Sequence, residues 1–191
     1  MKRILVTIIT AGILLATTHS SYATWSLGTE GFASYLINSS ASRYFKNPAW
    51  GGSLYVFYAP EIFWEFIGFG LRESYTRLNA KSGSGAADSH SWDTLLGGRL
   101  AFLDEPFEDW AVDLKLELGG SYFVPGASTG KSSLHFTYAI GSNLRYYIFE
   151  EGSLGLLLRW HQVFGSYTLA TNTRMSELNT LELGLLFEFS L

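Results

Sequence analysis

Hydrophobic positions recur at every second residue along most of the chain. Trp110, Val112, Leu114, Leu116, Leu118 and Tyr122 share one parity, while Asp113, Lys115, Glu117, Gly119 and Ser121 share the other. A helix would spread those charges around its circumference, whereas a strand collects them on one face. The same alternation sets Leu134, Phe136, Tyr138, Ile140, Leu144, Tyr146 and Ile148 against His135, Thr137, Asn143 and Arg145. It sets Leu154, Leu156, Leu158, Trp160 and Phe164 against Gly155, Arg159 and His161, and Leu181, Leu183, Leu185, Phe187, Phe189 and Leu191 against Glu182, Gly184 and Glu188. Residues 92–102 place Trp92, Leu96, Leu100 and Phe102 opposite Asp93, Gly97 and Arg99. Residues 61–78 follow more noisily, with Ile67, Phe69 and Leu71 opposing Gly68, Gly70 and Arg72, and residues 25–37 and 50–59 alternate least regularly. The pattern predicts eight strands.

Their connections alternate in length. Short turns are expected near Pro60, over residues 104–109 and at 150–152, and longer polar connections over 38–49, 79–91, 123–133 and 168–177. An up-and-down meander has this order when one end faces a compartment with room for loops. Strands of about 10 residues cross a bilayer when tilted, and eight of them fit the length available.

Composition decides which solvent such strands face. Hydrophobic residues make up 47% of the 191 positions, aromatic residues 16% and charged residues 16%. This is too apolar for a disordered chain and too aromatic for an ordinary polar surface. There is no cysteine, which excludes disulfides and Cys-ligated zinc. A net charge of −4 argues against nucleic acid as a partner. The first residues form an address: Lys2 and Arg3, an apolar run over 4–16, and the small-residue ending Ser21-Tyr22-Ala23. A secretory signal peptide over 1–23, cleaved after Ala23, is expected, because the apolar run is too short to span a bilayer as a helix. Residues 24–191 then form one domain.

Alternation alone does not say which face is outside. A lipocalin-like secreted binder would bury the apolar face around a ligand, and a membrane barrel would turn it to lipid. The second arrangement fits better. The polar faces are rich in glycine, as a narrow lumen requires. They carry Arg72, Arg99, Lys115, Arg145 and Arg159 against Asp93, Asp113, Glu117, Glu182 and Glu188. A balanced set suits a self-neutralising interior, since an unpaired buried charge is very costly. The apolar faces carry Trp and Tyr near strand ends, where a half-wet ring is most stable. The expected fold is therefore an all-β, eight-stranded, antiparallel up-and-down transmembrane barrel with an ion-paired lumen.

The final strand, Glu182-Leu183-Gly184-Leu185-Leu186-Phe187-Glu188-Phe189-Ser190-Leu191, resembles the C-terminal targeting signal of bacterial outer-membrane barrels. The resemblance implies an assembly signal carried by Glu182, Gly184, Phe187, Phe189 and Leu191 and read by the barrel-assembly machinery. The usual terminal aromatic is replaced by Leu191, which leaves Phe189 as the aromatic anchor. The overall plan resembles the small OmpA- and OmpX-type barrels. It implies a bacterial outer-membrane location, contact with outer-membrane lipid and lipopolysaccharide, a monomer, and a barrel without the appended peptidoglycan-binding domain.

Other motifs carry little chemistry. Gly126-Ala127-Ser128-Thr129-Gly130-Lys131-Ser132 misses the phosphate-cradling loop by one residue, and no helix pattern follows it. His90 lies between Asp88 and Asp93 beside Ser91, a grouping that could activate water or a serine at a barrel rim. His135 and His161 share a face with Arg145 and Arg159, which favours lumen hydrogen bonding over metal binding. A lipid A deacylase-type His-x-Ser pair is missing at His161, and ten lumen charges do not suit an acyl-measuring interior. Asn38-Ser39-Ser40 is a glycosylation triplet without a role in a bacterial barrel. No metal, cofactor or catalytic residue is expected. The leading expectation is a structural or surface-interaction barrel plugged by side chains. The alternatives are a small enzyme acting on lipid or peptide at the rim, a narrow pore, and the lipocalin-like binder.

Overall fold

The computed structural model describes residues 23–60, 67–103, 109–171 and 173–191. The expected signal peptide and the first residues of the noisy segment at 61–78 lie outside the described residues, apart from Ala23. The strands are β1 (Ala23–Leu36), β2 (Ala49–Pro60), β3 (Ile67–Leu78), β4 (Ser89–Leu103), β5 (Trp110–Val124), β6 (Ser133–Phe149), β7 (Gly152–Ala170) and β8 (Thr173–Ser190). A short helix, α1 (Ser39–Tyr44), lies between β1 and β2. Each strand pairs antiparallel with the next, and β8 closes on β1 from Ser26↔Ser190 to Leu36↔Thr180. Closure leaves no unpaired edge, which is what permits strands to stand in lipid.

The exterior is the apolar face. Leu96, Leu134, Leu156 and Leu185 are among its exposed members, and Leu185 is 67% exposed. Interior positions hold the charged residues, so the lipocalin-like arrangement is overturned: the barrel is inside out relative to a soluble one. Aromatic pairs mark both ends of the belt. Trp25 packs against Tyr58 at 4.8 Å and Trp110 against Tyr146 at 5.0 Å at the short-turn end, and Tyr75 meets Trp92 at 4.5 Å at the loop end. The interior is narrow enough to need glycine. A Cβ on Gly97 would meet Glu117 Cγ at 2.5 Å, and one on Gly184 would run into the Gly31 carbonyl and the Phe32 Cβ of β1.

Two connections differ from expectation. Residues 168–177, expected as a loop, form the tip of a long β7–β8 hairpin, with Tyr167↔Met175 and Ala170↔Thr173 paired. The register shifts between Val163 and Ser166, so the inward parity on β8 changes from Leu178 to Met175. That irregularity erases a period of two while leaving the backbone paired. In residues 38–49, Asn38 caps α1, its side chain accepting from the Ala41 N–H at 3.3 Å. The triplet read as a glycosylation motif is thus a helix N-cap.

Candidate functional site

The lumen is filled at successive levels. Nearest the short turns, Arg145 donates to Asp113 through Nε and Nη2, both at 2.8 Å, and through Nη1 to Glu188 Oε1 at 3.0 Å. Arg99 Nη1 donates to the same Glu188 oxygen at 2.7 Å from the opposite wall. Above this, Lys115 stands over the rings of Tyr55 (4.2 Å) and Phe57 (5.0 Å). Its Nζ lies 3.7 Å from Glu30, and the Asn143 amide, oriented with its oxygen toward the lysine, accepts from it at 2.8 Å. Higher still, Arg159 bridges Glu182 (2.6 Å) and Glu30 (2.7 Å), and Arg72 pairs with Glu117 at 2.7 Å. These side chains are almost wholly excluded from solvent. Each charge costs several kcal/mol to bury, and shared multidentate pairing offsets that cost.

The alternation therefore brings nine of the ten expected lumen charges together. Asp93 is the correction. It points inward at 1% exposure, but no cation meets it among the described residues. Its Oδ1 accepts from the Ser91 hydroxyl at 3.1 Å, and its Oδ2 has no partner. The carboxylate that does complete the network is Glu30, which also accepts from Ser53 at 2.6 Å. Sequence reasoning missed it because β1 puts Phe32 and Leu36 inward and Gly31 outward, which blurs its two faces. Its signal was parity: Glu30 lies in step with Ser26, Gly28 and Ser34 and is the lone charge in residues 25–37.

Beyond the charged levels lies a hydroxyl-rich level, and above it an apolar cap. Ser34, Thr76, Ser91, Asp93, His161, Thr180 and Glu182 help line a cavity of about 10 Å³, near the minimum for one water. Leu36, Phe45, Leu78, Phe123, Val163, Tyr167, Leu169, Met175 and Leu178 form a buried cluster that closes the loop end. No part of the sequence reading anticipated this cap, whose members come from α1, strand ends and the irregular hairpin tip.

The rim separates the residues grouped around His90. His90 Nδ1 bonds the Tyr75 hydroxyl at 2.6 Å, and the rings stack at 5.6 Å. Asp88 turns instead to the Ala80 N–H (2.9 Å) and Arg77 (3.1 Å), and Asp93 faces the lumen. Those two bonds hold the Asp88 carboxyl below the ordinary carboxylate range, the Ala80 N–H contributing most. A different pair does form: His135 Nε2 lies 2.6 Å from Ser133 Oγ, with the imidazole against Tyr167 at 4.3 Å. Lys131, of the glycine-rich segment, forms an isolated bridge with Thr168, and strand β6 rather than a helix follows it. Among the described residues no three His, Cys, Asp or Glu side chains gather as a metal site.

At the C-terminus, Glu182 and Glu188 face inward, and Phe187 and Leu191 are exposed on the lipid side or end. Phe189 packs 6.3 Å from Phe149, and the Leu191 N–H donates to the Trp25 carbonyl at 2.7 Å. Gly184 lets β8 lie close against β1 at the seam.

No protein-family model matches the chain, and no curated protein matches its sequence. Solved structures do match. Neisserial surface protein A is 13% identical with a TM-score of 0.59, over 89% of this chain and 97% of that one. The outer membrane protein OprG from Pseudomonas aeruginosa is 11% identical with a TM-score of 0.52, over 91% and 97%. The outer membrane protein AlkL, solved in lipid bilayers, is 13% identical with a TM-score of 0.51, over 92% and 94%. With its closed sheet, apolar exterior and ion-paired interior, the chain has the fold of the small eight-stranded outer-membrane β-barrels.

Proposed function

We propose that this protein is a structural, surface-interacting barrel of the bacterial outer membrane, whose loop rim docks the phosphate-bearing head groups of lipopolysaccharide. The observation that carries this reading is the separation of charge outside the lumen. Arg43, Lys46, Arg77, Lys81, Lys131 and Arg174 all belong to the loop end, where Asp88 and Glu177 are the acids and Glu73 stands lower, within β3. The segments joining strands at the other end hold Glu61, Glu65, Asp104, Glu105, Glu108, Asp109, Glu150 and Glu151, with no base. Longer connections face outward in such barrels, so the cations would stand beside anionic outer-leaflet lipid. Residues 37–48 and 79–88 are laced together, Lys46 N–H to the Asn79 carbonyl and Lys81 N–H to that of Tyr44, both at 2.8 Å, which gathers Arg43, Lys46 and Lys81. Lys131 and Arg174 both adjoin Thr168.

The filled lumen supports a barrel that conducts little. The test combines two measurements on the folded protein. Vesicles carrying lipid A phosphates should retain it, and the combined variant K46Q/K81Q/K131Q/R174Q should lose most of that retention while keeping its heat-shifted gel mobility. Planar bilayers should show no large steady conductance. Equal retention by the variant, or a steady open channel, would refute the reading.

A second reading has one observation behind it. The Ser133–His135 pair has the spacing of a nucleophile and its base at the rim, which favours a small hydrolase. Labelling of Ser133 by a fluorophosphonate, abolished in H135A, would establish that reading in place of the first.

A further inference from the structure

We propose that His161 is an imidazolium, the sixth cation of the lumen, and that its proton holds the loop-side half of the plug together. Thr137 Oγ1 lies 2.7 Å from His161 Nε2 and 2.9 Å from the Gln162 carbonyl oxygen. A carbonyl only accepts, so the single hydroxyl proton is committed to it, and the Thr137 oxygen is left to accept from an Nε2–H. On the other side of the ring, Nδ1 lies 3.3 Å from Glu182 Oε1. That carboxylate is ionised, since Arg159 Nε donates to its other oxygen at 2.6 Å, and an ionised carboxylate only accepts. Both ring nitrogens therefore carry hydrogen, and the ring is charged.

The count of lumen charges points the same way. Inward carboxylates are Glu30, Asp93, Asp113, Glu117, Glu182 and Glu188, and the inward fixed cations are Arg72, Arg99, Lys115, Arg145 and Arg159. The set is one positive charge short. The shortfall lies at Asp93, which among the described residues meets no Arg or Lys, has an unpartnered Oδ2 and shares its cavity with His161. Besides His161, the charged groups lining that cavity are Asp93 from β4 and Glu182 from β8, and Arg159 from β7 reaches Glu182 from outside it, already shared with Glu30. An imidazolium at His161 is the group placed to balance Asp93. Without that proton Asp93 and Glu182 would face a neutral ring. The hydroxyl-rich level then loosens beneath the apolar cap, while the Arg99–Glu188–Arg145–Asp113 level nearer the short turns is untouched.

The experiment is nitrogen-15 NMR of histidine-labelled, folded protein in lipid bilayers, with His161 assigned through its contact with Thr137. At pH 7 both ring nitrogens should show bound protons, and a single neutral tautomer there would overturn the proposal. A second arm needs no spectrum. H161Q should unfold about tenfold faster than the parent, and adding D93N should bring the rate back to within about threefold, because it removes the charge left stranded. If H161Q does not assemble, D93N/H161Q should assemble, and failure of D93N to rescue either defect would equally overturn the inference.

Discussion

Arg99 and Glu188 stand on opposite walls of the barrel, on β4 and β8, with three strands between them in either direction, yet Arg99 Nη1 reaches Glu188 Oε1 at 2.7 Å. The two side chains span the lumen. Arg145 adds a second donor to the same oxygen at 3.0 Å, and Tyr55 donates its hydroxyl to Glu188 Oε2 at 2.9 Å. Glu188 is thus the knot of the level nearest the short turns.

Removing one member of that knot should be costly. Glu188→Gln leaves Arg99 and Arg145 without a shared counter-charge, and a loss of roughly 3–5 kcal/mol is expected for a buried pair broken on one side. Denaturant midpoints of the refolded barrel measure it. A double replacement, R99M/E188Q, should lose less than the sum of the two single changes, because neither charge is then stranded. Strict additivity would mean that the contact is energetically idle.

The terminal strand should govern assembly. Gly184→Leu places bulk against the β1 backbone at the barrel seam, and Phe189→Asp puts a charge on the lipid side. Both should lower the outer-membrane yield severalfold, whereas substitutions within residues 81–87 should leave it near the parent level. Comparable yields for the two groups would argue against residues 182–191 as the assembly signal.

Processing is expected between Ala23 and Thr24, from the charged start, short apolar run and small-residue ending. Intact mass of protein extracted from membranes reports the position directly. A chain still beginning at Met1 would be incompatible with it.

Asp88 offers a pH-dependent contact at the loop rim. Its carboxyl is held below the ordinary range by the Ala80 N–H and by Arg77. The sign follows from that direction: the ionised form is favoured in the folded protein, so the contact is complete above the ordinary carboxylate pKa. It is lost as pH falls through the lowered value. Amide exchange at Ala80 should accelerate on acidification through that lower range, and Asp88→Asn should remove the pH dependence.

The sequence by itself determined the strand number, the parity of most strands and which face meets lipid. Each of these is local: a residue's face follows from its neighbours two positions away. The balance of Arg72, Arg99, Lys115, Arg145 and Arg159 against inward acids was legible for the same reason. Partner choice was not. Arg159 meets Glu30 across 129 residues and Arg99 meets Glu188 across 89, and only closure and register bring such positions to one height. The same physics explains the misassigned pieces. Glu30 was hidden by a strand whose two faces are similar in polarity. Asp93 has the parity of a lumen residue, but its height places it among hydroxyls and His161, away from the lumen arginines and Lys115. The hairpin tip lost its period at the register shift by Val163, and the apolar cap is assembled from segments with no common pattern. Alternation along a strand sets the face of a side chain, while its level in the lumen depends on how eight strands are staggered, which only the closed barrel decides.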